Sequence, residues 1–116
     1  KPIVLGEWMK GRVNPVAAAL DAHTFEPGRH RKVKPPRENW YRNQRQWIRR
    51  QIASGRRMFD IGVSSTNPKR SPYYNIERST LIKNGYHRKY VQTITVRFEM
   101  EGQMVKKRFR LYEWVK

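Results

Sequence analysis

The sequence predicts an α+β domain in which N-terminal helices pack on a small antiparallel sheet. Two observations carry that expectation. Residues 39–54 place Trp40, Gln44, Trp47, Ile48 and Ile52 on one helical stripe. The last third alternates apolar and polar residues on either side of Glu101-Gly102, the pattern of a hairpin. At 116 residues the chain has room for a single domain, 1–116, with one modest core.

Asn14-Pro15 ahead of Val16-Ala17-Ala18-Ala19-Leu20 reads as the start of a short helix fading near His23, with Asn14 capping an orphan amide and Pro15 where no donor is needed. From 24 to 37, three prolines, a glycine and the basic residues Arg29, His30, Arg31, Lys32 and Lys34 predict an exposed, mobile loop. In the helix that follows, Arg42, Arg45 and Arg49 form a second stripe, and Gly55 ends it. Residues 57–63 read as a strand: Phe59, Ile61 and Val63 take one side, which sends Asp60 to the other with Met58 and leaves it uncommitted to the core.

After a polar loop over 64–70, Ser71 as N-cap and Pro72 as first residue open a helix that Asn84-Gly85 closes, with Glu77 in its second turn. In the C-terminal hairpin, 89–116, Tyr90, Ile94, Val96, Phe98 and Met100 alternate with Val91, Thr93, Thr95, Arg97 and Glu99. An even loop at Glu101-Gly102 pairs Phe98 with Val105 and Ile94 with Phe109, whereas an odd loop sets Ile94 beside Arg110 and mixes the faces. The even register leaves Thr93, Thr95, Arg97, Lys106, Arg108, Arg110 and Tyr112 on one polar face.

Charge narrows the partners. With 26 Lys+Arg against 9 Asp+Glu, a net +17, the chain generates a field that attracts phosphate polyanions. Without cysteine there is no disulfide framework, thiolate zinc site, cysteine nucleophile or zinc deaminase centre. No apolar run approaches the ~20 residues of a membrane-spanning helix, and the start lacks a signal-peptide layout. A chain beginning at Lys1 rather than Met reads as a piece of a longer protein.

Against this background two carboxylates stand out. Asp60 lies in Gly55-Arg56-Arg57-Met58-Phe59-Asp60-Ile61-Gly62 and Glu77 in Ser71-Pro72-Tyr73-Tyr74-Asn75-Ile76-Glu77-Arg78. Metal-free RNA cleavage needs a base for the 2′-hydroxyl, an acid for the leaving oxygen and cations for the crowded phosphorane. Asp60 and Glu77 are the acid/base candidates, Tyr74 or Tyr73 a donor, and Arg57 the catalytic cation; His87 is a further acid or base. Substrate contacts are expected from Arg56, Arg78, Ser71 and Tyr73, from Arg97, Arg108, Arg110 and Tyr112 of the hairpin, and from Arg42, Arg45 and Arg49. Arginine forks suit phosphate and an aromatic ring stacks on an unpaired base. The competing reading is that both acids pair with arginines and hold strand to helix. His23, His30 and His87 are too scattered for a metal cluster, and no metal or cofactor is expected.

Those two segments, with Arg110-Leu111-Tyr112-Glu113-Trp114 and the opening Val4-Leu5-Gly6-Glu7-Trp8-Met9 before Arg12-Val13, resemble the C-terminal toxin domains of bacterial polymorphic toxins of the Rhs and contact-dependent-inhibition kinds. The resemblance implies a domain secreted or delivered by its producer, active in the cytoplasm of a competing cell, and neutralised at home by a cognate immunity protein, here an acidic one. It also implies a fold similar to the ribonuclease group of barnase, the colicin nucleases and the RelE toxins. No histidine here falls in a matching motif, so the histidine chemistry of several members does not carry over. The resulting expectation is a metal-independent ribonuclease acting on tRNA or ribosomal RNA. The alternatives are a metal-dependent DNase, an RNA ADP-ribosyltransferase, and a basic nucleic-acid-binding module without catalysis.

Overall fold

The computed structural model describes residues 1–7, 9–25, 37–64 and 70–116. Arg29, His30, Arg31, Lys32 and Lys34 of the expected basic loop lie outside them. Among the described residues the architecture is α+β, with three helices and a four-stranded mixed sheet in a compact globule. Strand β1 (Ile3–Leu5) precedes a π-helical turn (Met9–Val13), α1 (Asn14–Leu20) and α2 (Arg37–Ala53); then come β2 (Met58–Asp60), α3 (Pro72–Lys83), β3 (His87–Met100) and β4 (Gln103–Val115).

The sheet order is β1-β2-β4-β3, and β1 runs parallel to β2 through the pairs Ile3↔Met58, Val4↔Phe59 and Leu5↔Asp60. The expected antiparallel sheet is therefore corrected to a mixed one. The cause is the connection: a crossover long enough to hold α1 and α2 returns the chain pointing the same way, which a tight hairpin cannot do. The other pairs, β2 with β4 and β4 with β3, are antiparallel.

Around β1, β2 and the end of β4 that pairs with β2, both faces of the sheet are covered, so successive strand residues feed different cores. Val4, Phe59, Ile61, Val96, Phe109 and Leu111 pack with Val13, Val16 and Ala17 on the α1 face. Ile3, Leu5, Met58 and Trp114 pack with Ile48 of α2 and Leu81 of α3 on the other. Of the stripe on α2, Gln44 and Ile48 are fully buried.

Local chemistry explains most element boundaries. Ser71 Oγ accepts from the Tyr74 amide at 3.2 Å, and Pro72 opens α3 as expected. Asn14 does not cap α1: Val13, already helical, precedes it without a side-chain cap, because the π-helical turn runs straight into the helix. The hairpin turn is the two residues Glu101 and Gly102, at φ +52° and +77°, the positive-φ pair that matches strand twist in tight hairpins. Its register pairs Phe98 with Val105 and Ile94 with Phe109, as the even loop requires.

One irregularity changes a face assignment. Tyr90 pairs with Tyr112 but Gln92 with Leu111, so Val91 is a bulge. The extra residue reverses the alternation, and Tyr90 points to the side of Thr93, not to that of Ile94; its hydroxyl lies 2.8 Å from Thr93 Oγ1.

Gly6, at φ +152°, lets the chain leave β1 tightly against β2: a Cβ there would meet Ile61 Cγ1 at 2.6 Å. Gly6→Ala is expected to lower stability by roughly 1–3 kcal/mol through strain and collision, measured as a shift in the urea midpoint at unchanged m-value.

Candidate functional site

Asp60 ends β2 on the face covered by α2 and α3, and no part of it reaches solvent (0 % exposed). Alternation left Asp60 uncommitted to the core; it is buried because the Met58 side of the strand is itself roofed by helices. A carboxylate in such a place needs donors. Tyr74 Oη donates to both oxygens at 2.7 and 2.8 Å, the Gly62 amide to Oδ1 at 2.6 Å and Trp114 Nε1 to Oδ2 at 2.9 Å. The donors come from the loop after β2, the first turn of α3 and the end of β4.

The same loop is fastened from its other side. Arg12 donates to the carbonyls of Ile61, Gly62 and Val63 at 3.1 to 3.2 Å, and the Glu7 amide donates to Gly62. Burial pulls the Arg12 guanidinium below its ordinary pKa, with Glu7, Tyr74 and Asp60 acting against that.

Glu77 lies one turn beyond Tyr74 on α3 and is also buried, at 5 % exposure. Burial holds its carboxyl well above the ordinary range, and the charges of Asp60 and Glu7 push the same way against a hydrogen bond with Gln44. Gln44 Oε1 is a buried acceptor without a hydrogen-bond partner among the described residues. Asp60 is raised as well, burial outweighing its three donors and the Arg88 charge. Tyr74 is raised chiefly by burial and then by Asp60, so it is a neutral donor at ordinary pH. Glu7, the third buried acid, accepts from the Ser71 amide at the start of α3.

Arginine connects this interior to the surface. Arg88 of β3 donates to Tyr74 Oη at 3.5 Å, and its guanidinium lies 4.1 Å from the centre of the Tyr112 ring. Arg78 of α3 lies over the rings of Tyr74 and Trp114, at 5.7 and 5.5 Å. Beyond Tyr112 the same sheet face carries exposed Arg97, Lys106, Arg108 and Arg110.

Asp60, Tyr74, Glu77, Arg78 and Ser71 are thus brought together, with Tyr112 and the hairpin arginines on the continuing face. Arg57 is not with them: it pairs bidentately with Glu113 at 3.0 Å and lies over Phe59, on the α1 side. His87 is exposed beside Arg88 in an extended strand, so its side chain takes the opposite face. Arg56 is exposed before β2, and Arg42, Arg45 and Arg49 are exposed on α2. Tyr73 packs edge-on against Tyr41 at the α2–α3 contact. Sequence reasoning missed Arg88, Arg12 and Trp114 as site residues. The one signal for Arg88 was its place two residues before Tyr90 on a strand, and the bulge reverses what that place implies.

Asp60 is sealed from solvent and Glu77 nearly so, whereas the cations of the adjoining hairpin face are exposed. Among the described residues no group of three His, Cys, Asp or Glu side chains is placed to hold a metal ion. Comparison of the chain with protein-family models, curated proteins and solved structures finds no match.

Asp60→Asn puts an amide NH₂ among converging donors and is expected to cost about 1–3 kcal/mol of stability, read from a thermal or denaturant melt. Glu77→Gln should act oppositely. Because the folded carboxyls bind protons more tightly than the unfolded ones, stability is fullest below the ordinary carboxylate pKa and is lost as pH rises through the raised folded values. At pH 8 the glutamine variant, which has no charge to desolvate, should be more stable than the parent. Denaturant midpoints across pH 4–8 should show its profile flattened.

Proposed function

We propose that this chain is a metal-independent ribonuclease toxin domain that lays an RNA strand along the open face of the β3–β4 hairpin. The observation that carries the reading is the continuity of that face. Exposed Arg97, Lys106, Arg108 and Arg110 lead to Arg88, which is fixed between Tyr112 and the Tyr74 hydroxyl above buried Asp60. Cations held in place before the reaction stabilise a crowded phosphorane without reorganising. In this reading Asp60 is a positioning residue, orienting Tyr74 and through it Arg88. The resemblance to polymorphic-toxin domains and the net charge of +17 support delivery into a competing cell and an acidic immunity protein that covers the arginines.

A second reading, a basic RNA-binding module without catalysis, is favoured by the burial of Asp60 and Glu77. Incubating the domain with total RNA and with plasmid DNA, each with and without a chelator, separates the readings. Chelator-insensitive fragmentation of RNA is expected. Chelator-sensitive cutting of DNA points to a nuclease using a divalent ion, RNA modified only when NAD is supplied points to ADP-ribosyl transfer, and salt-dependent binding with intact RNA points to the module.

Replacing Arg108 and Arg110 together by glutamine should weaken RNA binding and reduce the salt slope by ~0.7 for each single-strand phosphate that is no longer neutralised. Both side chains are exposed, so the melt should not move. Affinity titrations over a range of salt give the slope directly.

A further inference from the structure

We propose that Tyr90 and Tyr112, clamped by Arg88, form a stacking platform for one unpaired nucleobase, so that the hairpin selects single-stranded RNA; this rests on the RNA reading above. The bulge at Val91 is what builds the platform. In an unbroken ladder Val91 would stand opposite Tyr112, and both Tyr90 and Arg88 would turn toward the α1 face. With the bulge, Tyr90 pairs with Tyr112 and Arg88 with Trp114, and all four side chains share one face.

The rings are held before any ligand arrives. Tyr90 and Tyr112 meet edge to face, with centroids 5.7 Å apart and planes at 71°. The Tyr90 hydroxyl is tied to Thr93 at 2.8 Å, and Arg88 covers Tyr112 at 4.1 Å while reaching Tyr74. Even so, Tyr90 remains 52 % exposed, one of the few large apolar side chains of the described residues left so open. An immobilised aromatic ring loses little entropy when a base stacks on it, and every base offers a π-face.

Charge complementarity selects the occupant. The platform adjoins Arg110 and the row Arg108, Lys106 and Arg97, a spacing of cations along the strands that follows a polyanionic backbone, and the exposed carboxylate on the hairpin's part of this face, Glu99, lies at the far end near the turn. Bases paired in a duplex keep their faces stacked on one another and cannot lie on such a ring. The platform therefore engages loops, ends and unpaired segments.

The test uses a short 2′-O-methyl RNA oligonucleotide containing 2-aminopurine, which resists cleavage and reports stacking through its fluorescence. The parent protein should bind it and quench the reporter. Tyr90→Leu should weaken binding roughly 5- to 100-fold, the range for the loss of one base stack, abolish the quenching and leave the salt slope unchanged, since every phosphate keeps its cation. Tyr90→Phe, which keeps the ring, should retain most of the affinity, and a fully paired duplex of the same sequence should bind both variants alike. Parent-like binding and quenching by Tyr90→Leu would overturn the platform while leaving RNA binding standing. Equal loss for duplex and single strand would also overturn it. If the parent binds neither RNA, the proposed function falls as well.

Discussion

A carboxylate without access to water is the constraint around which this chain is arranged. Leaving Asp60 unpaired in the interior would cost more than the small net stability of a domain this size can absorb. Three donors from separate parts of the chain answer it: the Gly62 amide, the Tyr74 hydroxyl and the Trp114 indole. Each donor fixes its own element, so β2, α3 and β4 are set relative to one another by polar geometry as well as by apolar packing. Removing any one member leaves the others with a buried group to satisfy, which is why such networks fail as units.

The sheet divides into two regions with different tasks. Where β2 pairs with β4, at Met58↔Trp114 through Asp60↔Tyr112, helices cover both faces and the interior is closed. Toward the turn, β3 and β4 continue past the end of β2, α1 still packs on one face, and the other is left to arginine, lysine and threonine. The boundary between regions is Tyr112, half-buried, with Arg88 laid across it. Buried acid and exposed base are thus neighbours on one face, joined through Tyr74.

Elements whose signals are local were legible in the sequence. The hairpin register follows from alternation plus an even loop, the start of α3 from Ser71-Pro72, and the buried stripe of α2 from the spacing of Gln44 and Ile48. What depends on distant partners was not. Strand β1 is a three-residue apolar run, Ile3-Val4-Leu5, buried on both faces, so it shows no alternation and no length to mark it. The bulge at Val91 carries no glycine or other local mark. Alternation does put Asp60 on the side of Met58, but it reports only which side a residue takes, and whether that side is roofed depends on α2 and α3. Arg57 looks close to Asp60 because it lies three positions before it; in a pleated chain that odd offset puts them on opposite faces.

The hairpin's reach beyond β2 has one more consequence. Among the described residues, β4 from Gln103 to Leu111 has β3 beside it and no second strand, and β3 is the outer strand of the sheet, so this part of the ladder has two edges without a strand partner. Such edges invite a strand from another copy to add on, and an aromatic-rich one does so readily. A copy adding on in register would bring Arg97, Lys106, Arg108 and Arg110 toward their own duplicates, and like charges at strand spacing repel. Like charges along this face therefore oppose such strand addition.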